Sequence, residues 1–512
     1  MPYSGEISEL AALVLQPGFV GTSAPDWVRR RLAEGLGGVA LFARNVESPG
    51  QVAALTAQLR AERPEVIVAI DEEAGDVTRL ESRQGSSRPG NLALGAIDDP
   101  ALTEAVAHDL GRDLAQAGIT LNYAPDVDVN SNPDNPIIGV RAFGSDPALV
   151  ARHGAAFVTG LQAAGVAACA KHFPGHGDTA VDSHHAVPVI DRDRAELEAC
   201  ELVPFRAAVA AGARSVMTGH LLVPAYDAEL PATLSARILH DLLRVELGFD
   251  GLIVTDGIEM QGVSRRYGLE GATVRAVAAG ADAVCVGGDH ADERTAVRLR
   301  DAIVAAVRSG ELPEERLRDA AERVRRLAAW TVRVQTETGA RAGDRATAGA
   351  SVVGLAAARR AVRVTMTDAG SSALPLRRPP HVVEFAPPRN IAIGAETPWG
   401  LGTPLDDLLP GTTAVRFAEE DLTGRPGRVL EGVDGQPLVL VVRDLHRHPW
   451  MAAAVSSALA ARPDAVVVEM GLPELVTGAV HLATYGATRA CGQAAAEIIA
   501  GTSIPAPQPL AA

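Results

Sequence analysis

Val166–His185 reads VAACAKHFPGHGDTAVDSHH. Its first five residues are small and aliphatic with no polar alternation, the pattern of a strand covered on both faces. The rest, Lys171–His185, holds four histidines, two aspartates and a lysine among glycine and proline. The same sequence of events, an aliphatic run ending in a chemically active residue, recurs along the chain. The other runs are Gly37–Phe42 (GGVALF), Val66–Ile70 (VIVAI), Ile119–Tyr123 (ITLNY), Ser215–Thr218 (SVMT), Leu252–Thr255 (LIVT) and Ala283–Val286 (AVCV). Helical patterns separate them at Pro49–Ala61, Asp99–Ala117, Ala148–Ala164 and Arg194–Ala211, as in a parallel α/β fold. Asp71 follows Ile70, Asp126 follows Tyr123 by three residues, Lys171-His172 follow Ala170, His220 follows Thr218 by two, and Asp256 follows Thr255. Active residues at the carboxyl ends of several strands predict a (β/α)8 TIM-like barrel. Seven strand-like runs are visible before residue 290, and the eighth has no clear place in the sequence.

A second domain is expected after the barrel. Glu311–Trp330 is an amphipathic helix, and Thr331–Ala350 loses its apolar content. Strand-like runs resume at Val382–Phe385, Pro437–Val442 and Ala465–Glu469, with a helix at Trp450–Ala461. This predicts a barrel over 1–335, a linker over 336–350 and a smaller α/β sandwich domain over 351–512. With 512 residues the chain has room for both. Lys+Arg 47 against Asp+Glu 63 gives a net charge of −16, which argues against nucleic acid or an anionic membrane as partner. No apolar run approaches the ~18 residues of a membrane span. The N-terminal MPYSGEISEL lacks the basic start of a secretory signal, and the four cysteines form no CxxC pair. A reduced, cytoplasmic protein with a small-molecule partner is the expectation, its oligomeric state open.

Three chemistries compete for Lys171–His185: a solvated loop, a metal site built from His and Asp, and general acid–base work. Lys171 beside His172 counts against a metal, since a cation repels a cation. Asp182 and His184 stand two apart, a step that lets the carboxylate accept an imidazole N–H and raise its basicity. Asp256 ends an aliphatic strand, where burial raises a carboxyl pKa unless donors stabilise the ion. A packing role for it would be to cap the following helix.

KHFPGHG followed by DSH resembles the signature of glycoside hydrolase family 3, in its β-N-acetylhexosaminidase (β-N-acetylglucosaminidase) branch. GGVALF is similar to that family's first strand, and IDEEAGDVTRL (Ile70–Leu80) to its IDQEGG-x-V-x-R-L. RPGNLALGA (Arg88–Ala96), LNYAPDVDV (Leu121–Val129), RAFGSDP (Arg141–Pro147), MTGHL (Met217–Leu221) and TDGIEMQGV (Thr255–Val263) match in the same order. The resemblance covers about residues 10–330. Glu72-Glu73-Ala74-Gly75 departs from the pattern, with one glycine lost and one acid gained. Gly257 stands where Asp or Ala commonly follows the nucleophile, which predicts a change in backbone freedom rather than in chemistry.

The resemblance implies that Asp256 is a nucleophile forming a covalent glycosyl-enzyme, and that His184 with Asp182 is the acid/base. It implies that Asp71, Arg79, Arg141, Lys171 and His172 hold the hydroxyls of the non-reducing sugar, with no cofactor and no metal. Arg79, Arg141, Lys171 and the histidines would make that pocket locally cationic. The activity implied is a retaining hydrolysis of terminal N-acetylglucosamine from small glycosides or cell-wall fragments. A phosphorolytic relative, a β-glucosidase of the same family and a noncatalytic sugar-binding protein are the alternatives. His176 and His220 are expected as supporting groups, and Glu469 and Asp444 as structural ones.

Overall fold

The computed structural model describes residues 3–179, 187–288, 290–339, 349–370, 373–388, 390, 392–394, 396–433 and 435–503. The chain divides into two compact units that are not consecutive in sequence. The first comprises residues up to Glu73, Pro100–Ile138 and the stretch from Gly144 up to 348. The second comprises Ala74–Asp99, Gly139–Phe143 and the chain from Gly349 onward.

The first unit is a parallel barrel. Its strands are β1 (Leu15–Pro17), β2 (Gly38–Leu41), β3 (Ile67–Ile70), β4 (Leu121–Asn122), β5 (Ala167–Phe173), β6 (Ser215–Thr218), β7 (Leu252–Thr255) and β8 (Val284–Val286). Strands β2 to β7 pair in chain order, all parallel. A bridge from Val254 to Ala283 carries the order on to β8, and β8 pairs with β1. The strand missing from the sequence reading is therefore the first one. It is three residues long, contains a glutamine and ends in proline, so it has no aliphatic run to betray it. GGVALF is the second strand, not the first. The continuous aliphatic runs have the burial their pattern demands: β2, β3, β6 and β7 are buried at every position.

Helix starts follow ordinary capping chemistry. Ser48 accepts from the Gln51 N–H ahead of helix Pro49–Glu62, and Asp146 accepts from Ala148 and Leu149 ahead of Pro147–Ala163. The long amphipathic helix runs Glu314–Glu337, past the point where apolar content falls. Its last turns hold because Gln335 is buried and donates to the carbonyls of Ile119 and Gly165 at 2.9 and 3.1 Å. Among the described residues no helix is long and apolar enough to cross a membrane.

The second unit contains a six-stranded sheet, formed by β9 (Arg363–Met366), β10 (His381–Phe385), β11 (Thr413–Phe417), β12 (Leu438–Val442), β13 (Val466–Glu469) and β14 (Val480–Ala483). The order is β11-β10-β12-β13-β14-β9, with only β9 antiparallel to its neighbour. Alternate residues feed two apolar layers. Val439, Val441, Val466 and Val468 pack with Leu405 and Ile499, while Leu438, Leu440, Val442 and Val467 pack with Met451 and Val455. Helices thus cover both faces of the sheet, as in a three-layer α/β sandwich.

The amino ends of the barrel strands carry a buried ionic knot. Asp282, fully buried just before β8, pairs with Arg244, with Arg316 at 2.6 Å, and accepts the Ile253 N–H at 2.8 Å. Removing one partner of such a cluster leaves desolvated charge uncompensated. Asp282→Asn is expected to lower unfolding free energy by about 3 kcal/mol, measured by urea denaturation. A loss below about 1 kcal/mol would be ordinary surface behaviour and would contradict the reading.

Candidate active site

At the carboxyl ends of the strands the same barrel gathers its remaining charge. β5 continues to Phe173, so Lys171 and His172 belong to the strand itself and not to the loop after it. The Lys171 N–H donates to the Pro125 carbonyl and the Val127 N–H donates to that of Lys171, at 3.1 and 2.8 Å. The backbone therefore fixes where the ammonium points. Lys171 is almost fully buried and its Nζ pairs with Asp71, beyond β3, and with Glu73 Oε1 at 2.6 Å. Asp71 and Glu73 are two residues apart, the spacing that puts side chains on one side of an extended chain.

A second pairing sits beside the first. His172 Nδ1 lies 2.7 Å from Asp128 Oδ2, and Asp128 Oδ1 accepts the N–H groups of His172 and His176 at 3.2 and 2.7 Å. A carboxylate only accepts, so Nδ1 of His172 carries the proton. Asp126 Oδ1 accepts the Asp128 N–H at 3.0 Å. Possible ligand atoms of Asp126, Asp128 and His172 lie within 4.8 Å of one another, the spacing of a candidate metal group. The Asp128 carboxylate, however, is already engaged by three N–H donors, which describes a hydrogen-bonded triad.

Asp256 follows β7 and is partly buried. Its own N–H donates to the Thr218 carbonyl at 3.1 Å, and its Oδ1 accepts the Gly257 N–H at 2.7 Å. Behind it, His220 is fully buried, with Nε2 2.9 Å from the Gly257 carbonyl and Nδ1 2.8 Å from Thr233 Oγ1. The carbonyl can only accept, so the His220 proton is on Nε2 and Thr233 donates to Nδ1. His220 is a support that holds the Asp256–Gly257 turn. The strand ladder links this turn to the first two clusters, since Gly219 N–H donates to the Phe173 carbonyl at 2.8 Å. The structure thus brings Asp71, Lys171, His172 and Asp256 onto one end of adjoining strands.

Arg79 and Arg141 lie on the segments that cluster with the second unit. Both are buried: Arg79 donates to the Ala392 carbonyl at 2.9 Å, and the Arg141 carbonyl accepts from Asn91 Nδ2 at 2.7 Å. Asp182 and His184 fall within 180–186 and lie outside the described residues. In the second unit Glu469 is buried and accepts the N–H groups of Asp444, Leu445 and Gly471, while Asp444 accepts that of Leu472. Both carboxylates serve their own loop. Burial pushes the Cys169 thiol up to about 12 and the Cys285 thiol well above its ordinary value, so neither is a nucleophile at neutral pH.

Three residues of this site went unassigned in the sequence. Glu73 and Asp128 each stand two residues after an aspartate that was noticed, and that period was the available signal. Glu259, beyond Asp256, has its carboxyl pKa raised, chiefly by burial and also by the charge of Asp256, while the Gly287 N–H donates to it at 3.0 Å. The Gly257 backbone is not left-handed, and the atom a Cβ there would meet, at 2.9 Å, is Glu259 Oε1, the far end of a side chain that can move aside. A charged side chain at 257 would act chiefly through its charge beside Asp256 and Glu259.

The model of the glycosyl hydrolase family 3 N-terminal domain matches residues 21–327. Beta-hexosaminidase A of Pseudoalteromonas piscicida is 36% identical over 316 residues, 57% of this chain and 53% of that relative, so the chain spans about half of that protein's length. A beta-hexosaminidase of Pseudomonas aeruginosa is 38% identical over 290 residues, 56% of this chain and 85% of that relative. Among solved structures, a family 3 beta-N-acetylglucosaminidase from Paenibacillus sp. is 34% identical with a TM-score of 0.86, covering 97% of each chain.

Gly257→Asp is expected to cost about 1–3 kcal/mol in urea unfolding, because it adds like charge beside Asp256 and Glu259. In the Gly257→Asp/Glu259→Ser double variant most of that loss should return. Additive losses in the two single variants would show that the side chains do not meet.

Proposed function

The chain belongs to glycosyl hydrolase family 3, and from that premise we propose that it is a retaining β-N-acetylhexosaminidase. It removes terminal N-acetylglucosamine from the non-reducing end of small glycosides. The observation that carries this reading is the Asp256 turn, an oriented carboxylate after β7 at the same end of the sheet as the compensated cations of β5, with β6 between them. In the first step Asp256 attacks C1, the glycosidic C–O bond breaks, and His184 gives its proton to the departing oxygen. In the second, His184 takes a proton from water as that water displaces the aspartyl ester. Two inversions at C1 leave the β configuration in place. Asp182 and His184, two apart in the sequence, are the acid/base pair of this reading.

Asp71, Lys171 and His172 bind the sugar hydroxyls by charge-assisted hydrogen bonds, with Arg79 and Arg141 in the same role. Mutual pairing holds Lys171 and Asp71 in fixed directions before the sugar arrives, so little ordering is left to binding.

The aglycone in this reading is a sugar that carries a carboxylate, as in a cell-wall fragment from wall turnover. Support comes from a hollow of about 410 Å³ in the first unit, lined in part by Val187, Leu222, Arg265, Arg266 and Tyr267. Leu222 lies two residues past His220, and Gln261, also on its wall, five past Asp256. Arg265 and Arg266 are exposed there and enter no ion pair among the described residues. A cytoplasmic location goes with this reading, supported by four unpaired cysteines.

Asp256→Asn should lower turnover of every β-N-acetylglucosaminide by on the order of 10⁴-fold or more. His184→Ala should lower kcat/KM for methyl glycosides by ~10²–10⁴-fold and leave that for dinitrophenyl glycosides nearly unchanged. Proton NMR of the first-formed product should show the β anomer, and phosphate buffer should yield no sugar 1-phosphate. An α product would sink the mechanism; sugar 1-phosphate would move the chain to the phosphorylases.

A further inference from the structure

Arg192, after residues 180–186, reaches back to the chain that precedes them. Its Nε lies 2.6 Å from Asp178 Oδ2, across a separation of fourteen residues in sequence. Its Nη2 donates to Ser131 Oγ at 3.1 Å, and Ser131 Oγ lies 3.5 Å from Asp178 Oδ1. Ser131 follows Asp128, the carboxylate that orients His172. The third neighbour is Glu201, at 3.6 Å from Nη1. Glu201 is buried, and neither of its oxygens has a hydrogen-bond partner among the described residues. A buried carboxylate without hydrogen bonds is costly unless a countercharge attends it, and Arg192 is the countercharge in reach.

The surroundings fix each end separately. On the entry side, Asn135 Nδ2 donates to the carbonyls of His176 and Gly177 at 2.8 and 3.1 Å. Gly177 is pressed so closely on the Val129 carbonyl that a Cβ would fall 1.7 Å from its oxygen, so no other residue fits. On the exit side, Ile190 and Leu222 exchange backbone hydrogen bonds, Ile190 N–H to the Leu222 carbonyl and Leu222 N–H to that of Pro188, both at 2.9 Å. Entry and exit are thus anchored to different strand ends, and the Asp178–Arg192 pair is the described side-chain link that joins them directly. Such a link fixes the distance between the two ends it joins.

We propose that Arg192 is a positioning residue for the acid–base step, setting the distance between the two anchors of the segment that carries Asp182 and His184. The inference rests on the function proposed above. It assigns to Arg192 no contact with substrate; the effect is transmitted through the chain.

A stabilising ion pair and a positioning one differ in which substrates suffer. kcat/KM for a dinitrophenyl glycoside reports attack by Asp256 on a leaving group that needs no proton. kcat/KM for a methyl glycoside also requires His184 in place. Arg192→Met, which removes the charge at similar length, should lower the methyl value by on the order of 10²-fold and the dinitrophenyl value by less than about threefold. Asp178→Asn should show the same split, and Arg192→Lys should recover much of the methyl value. Arg192→Met combined with His184→Ala should be no worse on the methyl glycoside than His184→Ala alone. Equal loss on both substrates, no loss on the methyl glycoside, or failure of all three single variants to fold would each overturn the proposal. If the unaltered protein turns over no N-acetylglucosaminide at all, the proposed function falls with it; if it turns them over and the split is absent, only the role of Arg192 falls.

Discussion

A lysine ammonium with almost no access to water must be given countercharges, and the upper half of the barrel is organised around that need. Lys171 is on a strand, so the main chain and not a flexible loop decides where its charge sits. Isolated burial would drive the amine toward its neutral form. Two carboxylates from the end of β3, Asp71 and Glu73, pair with it and hold it in one place. His172 repeats the arrangement one residue on, with Asp128 as its partner. In each case the acid stands at the i+2 position after another acid. An extended chain leaving a strand turns that spacing into one shared face, so two strand ends supply two clusters by the same geometry.

This constraint corrects the idea of a cationic pocket. The sequence contains cations at the right places, but charges in sequence are not net charges in space. Lys171 meets Asp71 and Glu73, and His172 meets Asp128 at 2.7 Å with Asp126 at 3.9 Å. What faces a ligand from these strands is an array of fixed, mutually compensated donors and acceptors. Such an array suits vicinal hydroxyl groups, which both donate and accept, better than a phosphate or a carboxylate, which only accepts. Arg265 and Arg266, which enter no ion pair among the described residues, lie instead after β7 and line a hollow with Glu229, Arg266 resting over the Tyr267 ring.

How much was legible follows from what each element has to bury. Strands covered on both faces read as aliphatic runs, so all seven from β2 to β8 were visible. Strand β1 was not, because Leu15-Gln16-Pro17 is too short to make a pattern. In the second unit β10, β12 and β13 were visible for the same reason. Edge strands β9 and β11 were not: one face of each meets water, and Arg363 and Arg416 interrupt them. β14 lies inside the sheet and was hidden by its buried His481. Candidate residues that end a long run were found. Glu73, Asp128 and Glu259 were not, since each depends on a contact with a residue far away in sequence.

The two ends of the barrel use buried charge for opposite purposes. At the amino ends, Asp282 is fully buried and pairs with Arg244 and Arg316, which also donate to the carbonyls of Gly251 and Ala281. These bonds tie strand and helix ends together, so the knot serves the fold. At the carboxyl ends exposure is divided within the clusters. Asp71 keeps partial exposure while its partner Lys171 does not, and Asp256 is partly exposed while its Oδ1 accepts the Gly257 N–H. Each buried member anchors, and each partly exposed member is presented. That division of labour within ion pairs, rather than the number of charges, distinguishes the end that supports the barrel from the end at which chemistry takes place.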